Sequence, residues 1–200
     1  MPSGRLPEVL DAAYECLTRY GVRRTTMDDI ASAMGVSRSA VYQYVRGKDD
    51  AFRKLAERLH AEALARARQA AAAEDAPGAE RIRGVLAVKL GLVRRLSRDS
   101  PHAAELLDEK ARGFGDVCHG FTGGINGLLT ELFAEAGTAA GTDPAEAARI
   151  CVALVIGLES APDAERLFDP AVDALLTGLL GVPVSSAARP HHLPLPSPRK

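Results

Sequence analysis

Apolar side chains recur every three or four residues along most of the chain, and no stretch alternates with period two. The first run, Leu6, Val9, Leu10, Ala13, Leu17 and Tyr20, stops at Gly21. A short helix is predicted over Met27–Met34, with Ile30, Ala31 and Met34 on one face, Thr26 and Asp29 as its N-cap signature and Gly35 at its end. Ser37 is placed to cap another, from Arg38 to about Val45, which Gly47 stops. A long helix then runs from Asp49 to about Ala73 on the stripe Phe52, Leu55, Ala56, Leu59 and Ala63, roughly 36 Å of it at 1.5 Å per residue. Ten alanines in residues 61–80 favour its continuation, and Asp75-Ala76-Pro77-Gly78 breaks it.

Ile82, Val85, Leu86, Leu90, Val93 and Leu96 mark the next helix, over about Ala79–Arg98. Ser100-Pro101 reads as an N-cap with proline at the first helical position, opening a short helix to about Arg112. Six glycines crowd residues 113–127, yet Val117, Phe121, Ile125, Leu128, Leu129, Leu132 and Phe133 keep the helical period. Each interior glycine costs about 1 kcal/mol against alanine, so this helix is expected to be the softest. Asp143-Pro144-Ala145-Glu146 opens another helix, and Asp169-Pro170 the last, which ends near Gly181. Residues 183–200 carry five prolines, His191-His192, Arg189, Arg199 and Lys200 without core-forming periodicity, and are expected to be a disordered tail with its histidines solvated. The fold class is therefore all-α.

Composition changes this picture little at first. Two hundred residues, 46% apolar and 26% charged, suit one globular chain or two small domains. A net charge of −1 gives no global basic balance of the kind that points to nucleic acid. No apolar run reaches the ~20 residues of a membrane span. The opening Met1-Pro2-Ser3-Gly4-Arg5 lacks a signal peptide's apolar segment, so the expected location is the cytoplasm. Cys16, Cys118 and Cys151 form no CxxC pair, against a disulfide framework or a zinc finger, and no metal or cofactor is expected. All four tyrosines, however, lie within the first 44 residues.

Charge is lopsided too. The first 60 residues hold ten basic and eight acidic side chains, +2, leaving −3 for the remainder. Residues 35–48 carry Arg38, Arg46 and Lys48 and no acid. Two short helices joined by Gly35-Val36-Ser37 describe a helix-turn-helix, the second helix turning Arg38, Ser39, Tyr42 and Gln43 outward and Val41 inward, with Tyr44 partly inward. A small helical hairpin with a polar face is the alternative reading.

The stretch from Thr25-Thr26-Met27-Asp28-Asp29-Ile30-Ala31 through Gly35-Val36-Ser37, Tyr42-Gln43-Tyr44 and Gly47-Lys48-Asp49 resembles the DNA-binding domain of the TetR family of transcriptional regulators. Tyr44 stands where the family usually has Phe, and Ser39 where Gly is common. The resemblance implies about nine helices: a three-helix helix-turn-helix domain over residues 1–48, then a helical ligand-binding and dimerisation domain over 49–182. It implies a homodimer on a palindromic DNA operator, acting as a repressor released by a small, mostly hydrophobic effector. The DNA-binding set is Thr26, Ser37, Arg38, Ser39, Tyr42, Gln43 and Lys48. Lys48, Thr26 and the Tyr42 hydroxyl suit phosphate, Arg38 suits guanine, and Gln43 suits adenine or the backbone.

In the second half, Ile150 to Leu158 has no polar residue, so that helix needs cover on both faces, from a second subunit or from within the monomer. The resemblance favours the dimer, through Ile150, Leu154, Gly157, Leu158, Leu175 and Leu179. It also places an effector pocket among the middle helices, with Leu86, Lys89, Leu90, Val93, His102, Leu106, Phe114, Cys118, Phe121 and Thr122 as candidates. A plain core with solvated polar residues is the alternative, as is a second half that binds a protein partner or no effector at all. No GxGxxG after a strand, Walker A, GxSxG or HExxH is present, and adjacent Cys118 and His119 point about 100° apart, poor geometry for a catalytic dyad. No enzyme activity is expected.

Overall fold

The computed structural model describes residues 4–100, 102, 115–139 and 141–180. Within them the chain forms eight helices: α1 Leu6–Arg24, α2 Met27–Ala33, α3 Arg38–Val41, α4 Lys48–Ala71, α5 Gly78–Asp99, α6 Gly115–Ala136, α7 Pro144–Glu159 and α8 Ala164–Leu179. The helix expected over Pro101–Arg112 and the tail from 183 lie outside the described residues, as do Leu106 and Phe114.

Local sequence explains most boundaries. Proline also lies in the first turn of α1, and Asp143 before Pro144 supplies the N-cap expected there, accepting from the amides of Ala145 and Glu146. Gly35 adopts φ +65°, the left-handed turn that ends α2. Gly47 is extended and lies immediately before α4.

Four expectations need correction. Gly21 does not end α1. It kinks the helix (φ 75°, ψ 164°), which resumes to Arg24. The α-helical part of α3 stops at Val41 rather than near Val45. Residues 42–44 continue as tight turns, with the amides of Gln43 and Tyr44 reaching the carbonyls of Ala40 and Val41. The last helix starts at Ala164, and Pro170 lies inside it. The buried series Ala164, Phe168, Val172, Leu176 and Leu179 holds the helix together across the hydrogen bond that proline cannot donate. His102 does not join the middle helices' apolar faces. It packs on the α1 kink, where a Cβ on Gly21 would come 3.2 Å from its ring.

α4 is the spine. Its Phe52, Leu55 and Ala56 are fully buried, and it packs on α1, α5 and α6. α6 and α7 pack together, α5 lies against both, and α8 packs on α7. One continuous apolar core runs from Val9 to Leu179. Among the glycines of α6, Gly124 approaches α4, its Cβ position lying 2.9 Å from the end of Leu64, while Gly120, Gly123 and Gly127 face open space. The hydroxyl of Tyr14 in α1 donates to Asp99 at the end of α5, which ties the two halves together a second time.

Candidate functional site

At the first end of the molecule, α2 and α3 present a fixed polar surface. Thr26 accepts from the Asp29 amide at 3.2 Å, and Asp29 accepts from the Thr26 amide at 2.8 Å and from its hydroxyl. These bonds form the complete capping box, and they hold the Asp29 carboxyl below its usual range. Ser37 caps α3 by accepting from the Ala40 amide, and its hydroxyl lies 3.0 Å from that of Ser39. Val41 and Val45 are buried and Tyr44 is half-buried, so the opposite side of this turn faces out.

Ser37, Arg38, Ser39, Tyr42 and Gln43 are all exposed, Tyr42 by 42% despite its ring. Thr26, the N-cap of α2, is exposed as well. Arg38 is held from two sides. Its guanidinium donates to the Tyr42 hydroxyl at 3.1 Å and to Asp28 at 3.2 Å, and lies over the Tyr42 ring. Those two partners hold it above its ordinary value, so it is a permanent, oriented cation. Lys48 is half-buried, and its ammonium donates to the Arg23 carbonyl at 3.2 Å, pinning α4's first residue to the end of α1. A planar, forked donor beside hydroxyl and amide side chains on a protruding turn is chemistry for base edges and phosphates.

The middle helices enclose a different arrangement. A cavity of about 80 Å3 is lined by His60 of α4, Lys89, Leu92 and Val93 of α5, Cys118, Phe121 and Thr122 of α6, and Glu159 of α7. Lys89 is only 5% exposed, and its ammonium donates to Glu159 at 2.6 Å. His60 is 6% exposed, stacks on Phe121 (centroids 4.8 Å apart, planes 16° apart), and its Nδ1 has no hydrogen-bond partner. Burial, with Lys89 nearby, pushes the His60 imidazole down to about 4. Of the expected pocket residues, Lys89, Val93, Cys118, Phe121 and Thr122 come together here. Leu86 is fully buried in the core, and Leu90 lines a separate groove between α5 and α8.

Residues 9–60 match the family described as bacterial regulatory proteins, tetR family. That match makes residues 9–60 a TetR-family DNA-binding domain. Members of this family are DNA-binding proteins and not enzymes. Solved TetR-type structures share the fold over nearly their full length. A TetR/AcrR-family regulator from Thermobifida fusca is 22% identical, with 87% of this chain and 97% of that one covered at a TM-score of 0.72. SmeT, the repressor of the Stenotrophomonas maltophilia multidrug efflux pump SmeDEF, is 21% identical, with 98% of both chains covered at 0.68. FadR from Bacillus subtilis in complex with stearoyl-CoA is 17% identical, with 86% and 98% covered at 0.70.

The far end of the described chain carries a partly apolar surface. α7 buries Ala147, Ala148, Cys151, Val152, Val155 and Leu158 against the rest of the chain. Its other side leaves Ile150 40% and Ile156 49% exposed, with Gly157 open beside them. On α8, Leu175 is half-buried and Gly178 is open. Leu154 is half-buried, whereas Leu158 and Leu179 are buried within the chain itself. Among the described residues no helix is long and apolar enough to cross a membrane.

Sequence reading missed three cavity residues, Leu92, His60 and Glu159. His60 had a signal: it falls four residues after Ala56 and three before Ala63, on the buried stripe of α4. Glu159 closes an otherwise apolar helix and had none.

Proposed function

We propose that the chain is an effector-responsive repressor that binds a palindromic operator as a homodimer. The observation that carries this reading is the capped, exposed turn from Ser37 to Gln43, with Arg38 held in a fixed orientation by Asp28 and Tyr42. On this reading residues 1–48 read DNA: Arg38 and Gln43 meet base edges, while Thr26, Ser37, Ser39, Tyr42 and Lys48 position the phosphates. Residues 49–182 regulate and dimerise.

A twofold dimer supports two recognition turns one helical repeat apart, ~34–36 Å, or further where the duplex is deformed. The exposed Ile150 and Ile156, with open Gly157 and Gly178, support α7 and α8 as the contact between protomers. Repression and small-molecule release are supported by the distant likeness to SmeT, a repressor also solved in complex with triclosan, and to FadR with stearoyl-CoA. α4 links the two ends: Lys48 and His60 lie on it about 18 Å apart by helical rise. The contacts of Tyr14 with Asp99 and of Gly21 with His102 give the effector side a second grip on α1. An effector that prefers one spacing of the two recognition turns shifts the equilibrium between bound and released states.

The test is a mobility-shift titration with DNA flanking the gene, combined with sedimentation of the free protein. The reading requires a dimer at micromolar concentration that protects a two-fold symmetric site. A monomer that protects one half-site overturns it.

A further inference from the structure

An acid stands beside the exposed turn that follows Ser37. Asp28 lies in the first turn of α2, and its side chain is 66% exposed. DNA is a polyanion, so a carboxylate on a surface that meets it is repelled unless it has work there. The neighbouring Asp29 folds back into the capping box with Thr26. Asp28 instead reaches across to α3, where its Oδ2 accepts from Arg38 Nη1 at 3.2 Å. Its Oδ1 takes no hydrogen bond among the described residues.

Counting donors shows what this pair still offers. Arginine has five N–H donors, two of them on each terminal nitrogen. Nη1 of Arg38 spends one on Asp28, and Nη2 spends one on the Tyr42 hydroxyl at 3.1 Å. Each terminal nitrogen keeps one N–H, and such a fork matches O6 and N7 of guanine. Beside guanine O6 in the major groove stands the N4 amine of the paired cytosine, a donor. Beside Nη1 on the protein stands the Asp28 carboxylate, an acceptor with a free oxygen. The protein row Nη2, Nη1, Oδ1 therefore complements the base row N7, O6, N4. An A·T pair reverses two of the three places: adenine N6 brings a donor to Nη1, and thymine O4 brings an acceptor to the carboxylate.

We propose that Arg38 and Asp28 act as one unit that reads a single G·C pair, Arg38 on O6 and N7 of guanine and Asp28 Oδ1 on N4 of the paired cytosine. Asp28 is then a specificity-determining residue. The inference rests on the reading of the Ser37–Gln43 turn as the surface that meets base edges, and it names what that surface reads. The carboxylate also holds the guanidinium in place before DNA arrives, so less freedom is lost on binding. An acid in the first turn of α2 suits the helix dipole as well, but that role acts on stability and ignores the base.

The test uses the full-length protein and the duplex that it enriches from a randomised pool. At the G·C pair that Arg38→Ala relaxes, cytosine is replaced by N4-methylcytosine, which keeps the hydrogen that pairs with guanine and replaces the one facing the major groove. The wild-type chain should bind the methylated duplex about tenfold more weakly. Asp28→Ala should bind the two duplexes alike and, in its own selection, relax the same pair. Its binding to non-specific duplex should be equal or tighter, since it has lost a negative charge. Equal wild-type affinity for the two duplexes, or an Asp28→Ala selection identical to that of the wild-type chain, overturns the proposal. So does an Asp28→Ala chain that melts earlier yet keeps the tenfold preference, which is the signature of a helix-end role alone. A wild-type chain that enriches no sequence removes the reading of the turn and this inference with it. One that enriches a sequence and ignores the methyl group removes the role of Asp28 and leaves the turn.

Discussion

The two ends of this molecule use polar side chains in opposite ways. Around α2 and α3 they sit at the surface and hold one another: Thr26 with Asp29, Ser37 with Ser39, Arg38 with Asp28 and Tyr42. Between α4 and α7 they are buried and few, with Lys89 closed on Glu159 and His60 left unpaired at Nδ1. Surface polar bonds add little stability but fix geometry, which suits recognition of a rigid duplex. Buried ones are sensitive to loss and to change in partners, which suits a switch. Removing a member at each end should therefore damage different properties.

The largest effect is expected in the interior. Lys89→Ala leaves Glu159 without its cation, and losses of this kind run to about 3–5 kcal/mol. Urea unfolding should show a lower midpoint with the slope unchanged; a loss below about 1 kcal/mol would mean that the pair is effectively solvated. His60 gives a pH signature. Its pKa is about 4 in the folded chain and near the usual 6.5 once unfolded, so across that window the unfolded state takes up a proton that the folded state refuses. Unfolding free energy should fall as pH drops from 7 towards 4, by at most ~3 kcal/mol from this group. Lys89, Glu159 and Cys118 share its cavity. The difference between the wild-type chain and His60→Phe isolates the histidine, and parallel pH profiles would refute the assignment.

At the DNA end the effects are smaller and concern specificity. Arg38→Ala should cost about 1–3 kcal/mol of discrimination at one base pair per half-site and little stability. Thr26→Ala removes the α2 cap and should cost ~1 kcal/mol of stability, read from thermal melts. Lys48→Ala should weaken binding to all sequences alike and lower the slope of log K against log salt by about one unit. An unchanged slope would leave Lys48 as a pin on Arg23 only.

The same contrast explains what was legible in the sequence. Apart from the Lys48 bond to Arg23, the polar contacts described at the DNA end join residues two to ten apart, such as Thr26–Asp29 and Arg38–Asp28, so local patterns name its parts. It departs from those patterns at Gly21, which kinks α1 without ending it, and at the early end of α3, where the chain tightens into turns at Tyr42. The cavity gathers residues from positions 60, 89, 118–122 and 159, and only the packing of four helices brings them together. Lys89, Val93, Cys118, Phe121 and Thr122 were pocket candidates only through the family resemblance, and the pairing of Lys89 with Glu159 had no local signal. Pro170 misled for a related reason: proline usually opens a helix, and here the apolar spacing from Ala164 onward outweighs the lost hydrogen bond.

Selection from a pool of randomised duplexes, run in parallel with the wild-type chain and Arg38→Ala, tests the central claim most directly. The account predicts that the wild-type chain enriches a two-fold symmetric sequence and that Arg38→Ala enriches the same sequence with one position in each half relaxed. No enriched sequence, or an identical one from both proteins, would contradict the assignment of the Ser37–Gln43 turn as the surface that reads DNA.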